Sequence, residues 1–407
     1  MFALCLFLLL AQSPTFEAAL RAGLEALQHN DVTGARVSLE SAAKMQPDQP
    51  QVWLALAQTY WKLHESKLAG SAAEKAERLA PSNPVVFKAL SLFYSESGNY
   101  EKAAECAAGF ASKAPADQGA YARAIQLYLQ AGRPKRAIDL ARSALVAENR
   151  ADLRYLLGKA YEMDGHPAES VREMRAAIKL NPYEESYYFE LARDLLKHNS
   201  AQEAIQVLED GKKDFARSAQ IELTLGVAYY SMRRFSDAVD AFLRVIRIDP
   251  GVEQPYVFLG RMLDQTASKL PDVTAAFAAL AKANPKNYTA DFLYGKALAF
   301  GGQRNQAEAL LRQSIVENGE FWESHFELGA VLEGKRDFAG AAREFSRAAE
   351  LNPKNPGVHY RLARVYDRLG KADESKAEHA LHEKLTQEEN AFIRRQGGGM
   401  ERLEESR

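Results

Sequence analysis

Cysteine is scarce in this sequence, occurring only as Cys5 and Cys106 in 407 residues. Two thiols supply neither a disulfide framework nor a cysteine-based structural zinc site. Long apolar runs are missing too. No stretch reaches the roughly 18 to 20 apolar residues that a membrane-crossing helix needs, so no transmembrane span is expected. Charge of one sign is not in excess either. With 52 Lys and Arg against 54 Asp and Glu the formal charge is -2, which excludes the strong basicity of a dedicated nucleic-acid binder and confines any polyanion site to a local patch. A P-loop, a Gly-rich dinucleotide turn, a His-Glu-x-x-His helix and a Cys-x-x-Cys pair are all absent. No nucleophile and base, metal cluster or phosphate cradle is gathered in one place, so neither catalysis nor a cofactor is expected. What is present, 47% hydrophobic and 26% charged residues, is the composition of an ordinary folded chain with a large core.

The two ends differ from the rest. Residues 2–11 form an apolar run of the length of a signal-peptide core, followed by Gln12 and Ser13. Residues 1–13 therefore read as an export signal, although no Lys or Arg precedes the run, and export would make the protein periplasmic or secreted. The alternative is a retained apolar segment that covers the first helices of a cytoplasmic protein. At the other end, residues 385–396 read as a capping helix. Gly397, Gly398 and Gly399 carry a heavy entropic cost in a helix, so order is expected to stop near Gln396 and residues 397–407 to form a flexible tail.

Between the ends the chain repeats itself. Aligned on one small residue after Leu or Ala, it gives Gly23, Ala57, Ser91, Ile125, Gly158, Ala192, Gly226, Gly260, Gly295, Gly329 and Ala363, and eight of the ten intervals are 34 residues. Apolar residues such as Trp53, Leu56, Ala57 and Tyr60 fall on one helical face in the first half of each copy. Twelve residues after the aligned position a second small column begins with Ala35, Ala69 and Ala103, where two helices can approach closely. Large residues, among them Met174, Phe242, Phe277, Leu311 and Phe345, follow four positions later. Gly98, Gly132, Gly165 and Gly370 stand where a first helix must stop, and Pro47, Pro81, Pro115, Pro182, Pro250, Pro285 and Pro353 where a second one ends. The reading is eleven helix pairs over residues 16–384, an all-α chain.

The 34-residue period with Leu-Gly, an aromatic three residues on, then Ala, an aromatic and Pro resembles the tetratricopeptide repeat (TPR) family. Its clearest copies are Leu225, Gly226, Tyr229, Ala238, Phe242, Pro250 and Leu328, Gly329, Ala341, Phe345, Ala348, Pro353. The resemblance implies a right-handed superhelical solenoid of antiparallel helix pairs, whose first helices line a concave groove that binds extended peptides or a partner's helix. With the aligned small residue as position eight, the resemblance places positions two, five, nine, twelve and thirteen in that groove. In this sequence position five includes Tyr155, Phe189, Phe292, Phe326 and Tyr360 beside aliphatic Leu223 and Val257, and position nine includes Lys159, Arg193, Arg261, Lys296 and Arg364, interrupted by Val227 and Ala330. An aromatic rail beside a basic one suits an acidic extended peptide or protein segment first and an anionic polysaccharide second. The family also implies wider roles: a protein-binding scaffold, an envelope scaffold for polysaccharide synthesis or export, or a non-catalytic regulatory subunit. The chaperone-binding subset of the family needs Asn at position nine, and no repeat here has it, so that narrower role is not expected.

Two repeats depart from the pattern. The eighth carries an extra residue and Pro271 within Asp264 to Asp272, which implies a reshaped turn. The sixth lacks a turn glycine and a terminal proline, and a break within 211–218 would divide the array. His379 and His382, three apart with Glu378 and Glu383 beside them, are the nearest approach to a metal site, but they read as part of a charged terminal helix. His325 and His359 stand at position four, an interior place, and Cys106 reads as a small helix residue and not a nucleophile.

Overall fold

The computed structural model describes residues 15–404 apart from 115 and 116, so the leader reading of residues 1–13 lies outside the described residues. Among the described residues twenty-two α-helices follow one another as eleven consecutive pairs, with no strand. The chain divides into two compact units, one up to Ser200 and one from Ala201. Repeats one to five and the first helix of repeat six (Glu185–Lys197) belong to the first unit. The second helix of repeat six (Ala201–Lys212) and repeats seven to eleven belong to the second.

Many of the helices start where a side chain or a proline deals with the unpaired amides of the first turn. Asp31, Asn99, Ser218 and Asp337 accept from the backbone amides of Gly34, Lys102, Ile221 and Gly340 at 2.8 to 3.2 Å. Pro50, Pro84, Pro134, Pro167 and Pro356 occupy first-turn positions, where a missing N–H costs nothing. The stops are equally regular. In ten of the eleven repeats the turn between the two helices holds one residue in the left-handed region: Asn30, His64, Gly98, Gly132, Gly165, Asn199, Arg233, Gly302, Arg336 and Gly370. Asn199 therefore takes the place of the glycine that repeat six lacks. Asparagine tolerates this conformation better than most residues.

The core is made by a small residue facing a large one. The second small column is buried from Ala35 to Ser375 without exception. A Cβ placed on Gly226 would stand 2.4 Å from the Phe242 ring, one on Gly329 2.8 Å from Phe345, and one on Gly158 2.7 Å from Met174. The aligned glycines are thus seats for the large side chains of the second helix, and Phe242 and Phe345 are fully buried in them.

Repeat eight breaks this order. Its first helix, Gln254–Arg261, has 8 residues where the others have 11 to 13. Two 3-10 turns, Leu263–Gln265 and Ala267–Lys269, carry the chain to the second helix, Leu270–Ala283. Pro271 sits in the first turn of that helix, and a Cβ on Gly260 would meet Leu293 of the next repeat at 2.4 Å, not the repeat's own Phe277. The last helix corrects one expectation. It is continuous over Ala372–Glu404 and passes through the three glycines instead of stopping near Gln396. A glycine costs about 1 kcal/mol relative to alanine in a helix, but extending an existing helix is far cheaper than starting one.

Candidate binding groove

The early stop of the first helix in repeat eight leaves a groove of about 480 Å³ in the second unit. Its walls come from the first helices of repeats eight to eleven and from Arg304 at the start of the second helix of repeat nine (Arg304–Glu317), with the reshaped turn at one end. Four cations line it, Arg261, Lys296, Arg304 and Arg361, against two carboxylates, Asp264 and Glu327. Arg261 lies at the C-terminal end of its shortened helix, where the partial negative charge of the carbonyls favours a cation.

The cations are not equally engaged. Lys296 Nζ lies 3.4 Å from Glu327 and 5.7 Å from the centre of the Phe292 ring. Arg361 and Arg364 divide the two oxygens of Glu333 between them, at 3.0 and 3.6 Å. Arg261 and Arg304 are exposed and have no carboxylate partner among the described residues. Arg304 lies beside the end of the helix Trp322–Gly334, where a Cβ on Gly334 would stand 2.8 Å from its Nε. Near Lys296, burial raises the Glu323 carboxyl above the usual range, and Lys296 and a backbone hydrogen bond only partly oppose it. Glu323 Oε2 has no hydrogen-bond partner among the described residues. The groove thus keeps a local positive excess on a chain of balanced net charge.

The sequence-predicted residues fall into two sets. Arg261 and Lys296 meet in this groove, and Arg364 joins it through Glu333. Tyr360 is exposed, with Arg364 5.7 Å above its ring and His382 5.2 Å to one side. The aromatic column is less available than expected. Phe292 is buried edge-on against Phe321 at 5.1 Å, which removes it from the surface. Phe326 is half-buried on Phe345 of its own repeat. A flat ring at position five gains more by leaning on its neighbours than by facing water. The remaining four residues lie in the first unit. There Tyr155 packs on Tyr187 at 4.9 Å, Lys159 lies 5.4 Å over the Tyr155 ring, Phe189 is half-buried, and exposed Arg193 pairs with Glu190.

Arg304, Arg361, Glu327 and Glu333 were not among the expected residues, because they occupy positions outside the two columns. The signal that pointed to their neighbourhood was the irregularity of Asp264 to Asp272. The remaining candidates are tied into the scaffold. His379 reaches Asp367 at 3.5 Å, His382 reaches the Pro356 carbonyl at 2.9 Å, and Glu378 is held by His359. Among the described residues no three potential metal ligands come together. Cys106 is buried, and burial first, then the charges of Glu77 and Glu105, pushes its thiol up to about 12.

Paired helices at this period, closed by small-on-large packing, define a helical-repeat scaffold. A tetratricopeptide-repeat family model matches residues 20–84, 126–185, 189–253 and 295–356, and a second one matches 332–384. The chain belongs to the tetratricopeptide repeat family, whose fold is typically a protein-binding and generally non-catalytic scaffold. It is 26% identical over 175 residues to intraflagellar transport protein 70A of Xenopus tropicalis, a match over 42% of this chain and 26% of that protein. The chain therefore spans about a quarter of the length of that relative. Solved structures similar to it include yeast Tom70 (15% identity, TM-score 0.37, 94% of this chain and 96% of that one). The type IV pilus biogenesis factor PilW is another (20% identity, TM-score 0.41, 48% and 90%). Among the described residues no helix is long and apolar enough to cross a membrane.

Proposed function

We propose that this protein is a scaffold that captures an acidic, extended segment of a partner protein in the groove of repeats eight to eleven. The observation that carries the reading is the pair of unpartnered guanidinium groups, Arg261 and Arg304, in one groove with Lys296 and Arg361. A carboxylate entering there finds planar donors that no acid among the described residues has claimed, so it gains charge-assisted hydrogen bonds without first breaking an ion pair. Glu327 and Glu333 hold Lys296, Arg361 and Arg364 in place. Tyr360 beside Arg364 supplies an apolar face for the same ligand. Equivalent positions on successive first helices recur at about the 8 to 10 Å of helix packing, which favours a chain over a compact ligand. In the first unit Tyr155, Lys159, Phe189 and Arg193 offer a smaller contact of the same kind. No step of this function calls for catalysis.

Fluorescence anisotropy with a labelled peptide of alternating glutamate and leucine tests the proposal on the full chain. Binding should weaken with salt and fall by about tenfold or more in Arg261→Glu with Arg304→Glu, a loss of about 1.4 kcal/mol or more, while helical content is unchanged. Equal binding by the variant defeats the proposal. Alginate added as competitor tests the polysaccharide alternative: stronger binding of alginate than of the peptide would transfer the groove to that ligand.

A further inference from the structure

A second basic locus lies in the first unit, at the seam between the second helices of repeats four and five. Arg142 comes from the helix Pro134–Ala147, Arg154 from Ala151–Met163 and Arg172 from Pro167–Leu180. They line a shallow outer groove of about 250 Å³ together with Tyr161 and Glu173. Two of the three guanidinium groups share a single carboxylate. Arg154 Nη1 reaches Glu173 Oε2 at 2.5 Å and Arg172 Nε reaches Oε1 at 3.2 Å, so both oxygens of this buried acid are taken. Arg142 has no acid. Its Nε and Nη2 both donate to the Tyr161 hydroxyl, at 2.9 and 2.5 Å.

In two other repeats a glutamate stands where Arg142 meets Tyr161. The tyrosine at this repeat position donates to a glutamate of the preceding second helix in repeat two, Tyr60 to Glu40 at 3.0 Å, and in repeat seven, Tyr229 to Glu209 at 2.8 Å. In repeat five the partner is a cation, and Tyr161 accepts where Tyr60 and Tyr229 donate. The two donations from Arg142 to its oxygen leave the Tyr161 proton free to point away from that guanidinium. The seam therefore holds three fixed positive charges against one negative, with a hydroxyl proton at the same spot.

We infer that this seam binds a phosphate-like dianion, held by Arg142, Arg172 and the Tyr161 hydroxyl. The excess of positive charge matches the charge of a phosphate or phosphate monoester, and guanidinium forks match its oxygen geometry. Glu173 keeps Arg154 and Arg172 spread in position at the edge of the groove. Arg172 is well exposed, so its guanidinium can turn to the ligand without disturbing the core. This site is independent of the acidic-segment groove in the second unit and stands or falls separately.

The test is a titration of the full chain with inorganic phosphate and with a phosphoserine peptide, at constant ionic strength, followed by phosphorus NMR line width and calorimetry. Saturable binding should appear, weaken by about tenfold in Arg172→Gln and again in Arg142→Gln, and stay unchanged in Arg312→Gln, which removes a cation in the second unit. Binding of both probes assigns the site to the phosphoryl group however it is carried, and stronger binding of the peptide assigns it to a phosphorylated partner. No saturation with either probe, or equal weakening by Arg312→Gln, overturns the inference. Arg172→Gln removes an exposed side chain and its contact to Glu173, and circular dichroism checks that its fold is intact.

Discussion

His359 ties two helices and a turn together: its Nδ1 lies 2.6 Å from Glu378 Oε2 and its Nε2 3.0 Å from the Pro353 carbonyl oxygen. One repeat earlier His325 makes the same contacts, to Glu344 at 2.7 Å and to the Gly319 carbonyl at 3.2 Å. The carbonyl contact recurs with Trp53 on Pro47, Tyr188 on Pro182 and Tyr256 on Pro250, always six residues back. A carbonyl only accepts, so the ring atom facing it must be the donor. Position four thus staples each of these first helices to the preceding turn, and the two histidines add a bond to the second helix.

Removing that staple while keeping a ring should be costly. His359→Phe is expected to destabilise the second unit by about 1 to 3 kcal/mol, because two hydrogen bonds at a buried site are lost. A double-mutant cycle with Glu378→Gln should give a coupling on the order of 1 kcal/mol. Urea unfolding measures both, and a coupling indistinguishable from zero would show that the 2.6 Å contact contributes nothing.

Two glycines within helices should respond oppositely to one methyl group. Gly226→Ala drives a Cβ to 2.4 Å from Phe242 and should cost about 1 to 3 kcal/mol through overpacking. Gly70→Ala meets nothing within 4 Å and should stabilise by up to about 1 kcal/mol through helix propensity. Thermal melts of the two variants moving in the same direction would contradict the small-on-large account of the core.

Asp194 should make the first unit pH-sensitive. Burial first, then the charge of Glu162, pushes its carboxyl up to about 6, against the opposing pull of Arg193 and Lys197. A carboxyl raised above its unfolded value near 4 penalises the folded state once ionised. No penalty exists below the unfolded value, and the full cost is reached as pH rises past about 6. Asp194→Asn, which can keep the acceptor for Ser170 Oγ, should therefore stabilise at about pH 8 by at most about 3 kcal/mol and change little at about pH 4. Equal gains at both pH values would rule out the buried charge as the cause.

Core truncation should be felt beyond its own repeat. Leu225→Ala or Leu328→Ala, both at fully buried sites, should cost about 2 to 5 kcal/mol by cavity formation. In a repeat array stability is shared across interfaces, so hydrogen exchange should speed up in neighbouring repeats as well. A loss of only a few tenths of a kcal/mol would remove these leucines from the core.

The register of the array was legible because packing imposes it one residue at a time. A glycine under Phe242, an alanine or serine at ten of the eleven close helix contacts and a left-handed stop residue in ten of the eleven turns are local requirements, and each leaves a letter at a fixed spacing. Eleven pairs, their turns and the irregularity of repeat eight could be read for that reason. The turn of repeat six shows where letters mislead, since Asn199 adopts the conformation that glycine supplies elsewhere.

The sequence by itself determined the repeat, the identity of the buried columns and the presence of Arg261, Lys296 and Arg364 on first helices. Tertiary structure alone decided which of these are free. It placed Glu333 between Arg361 and Arg364, turned Phe292 into the core and left Arg261 and Arg304 without an acid partner among the described residues. Helical periodicity fixes the face a side chain leaves from. Which partner that side chain finds depends on where neighbouring helices end, and the helix that stops at Arg261 ends early because of the extra residue and turn that follow it.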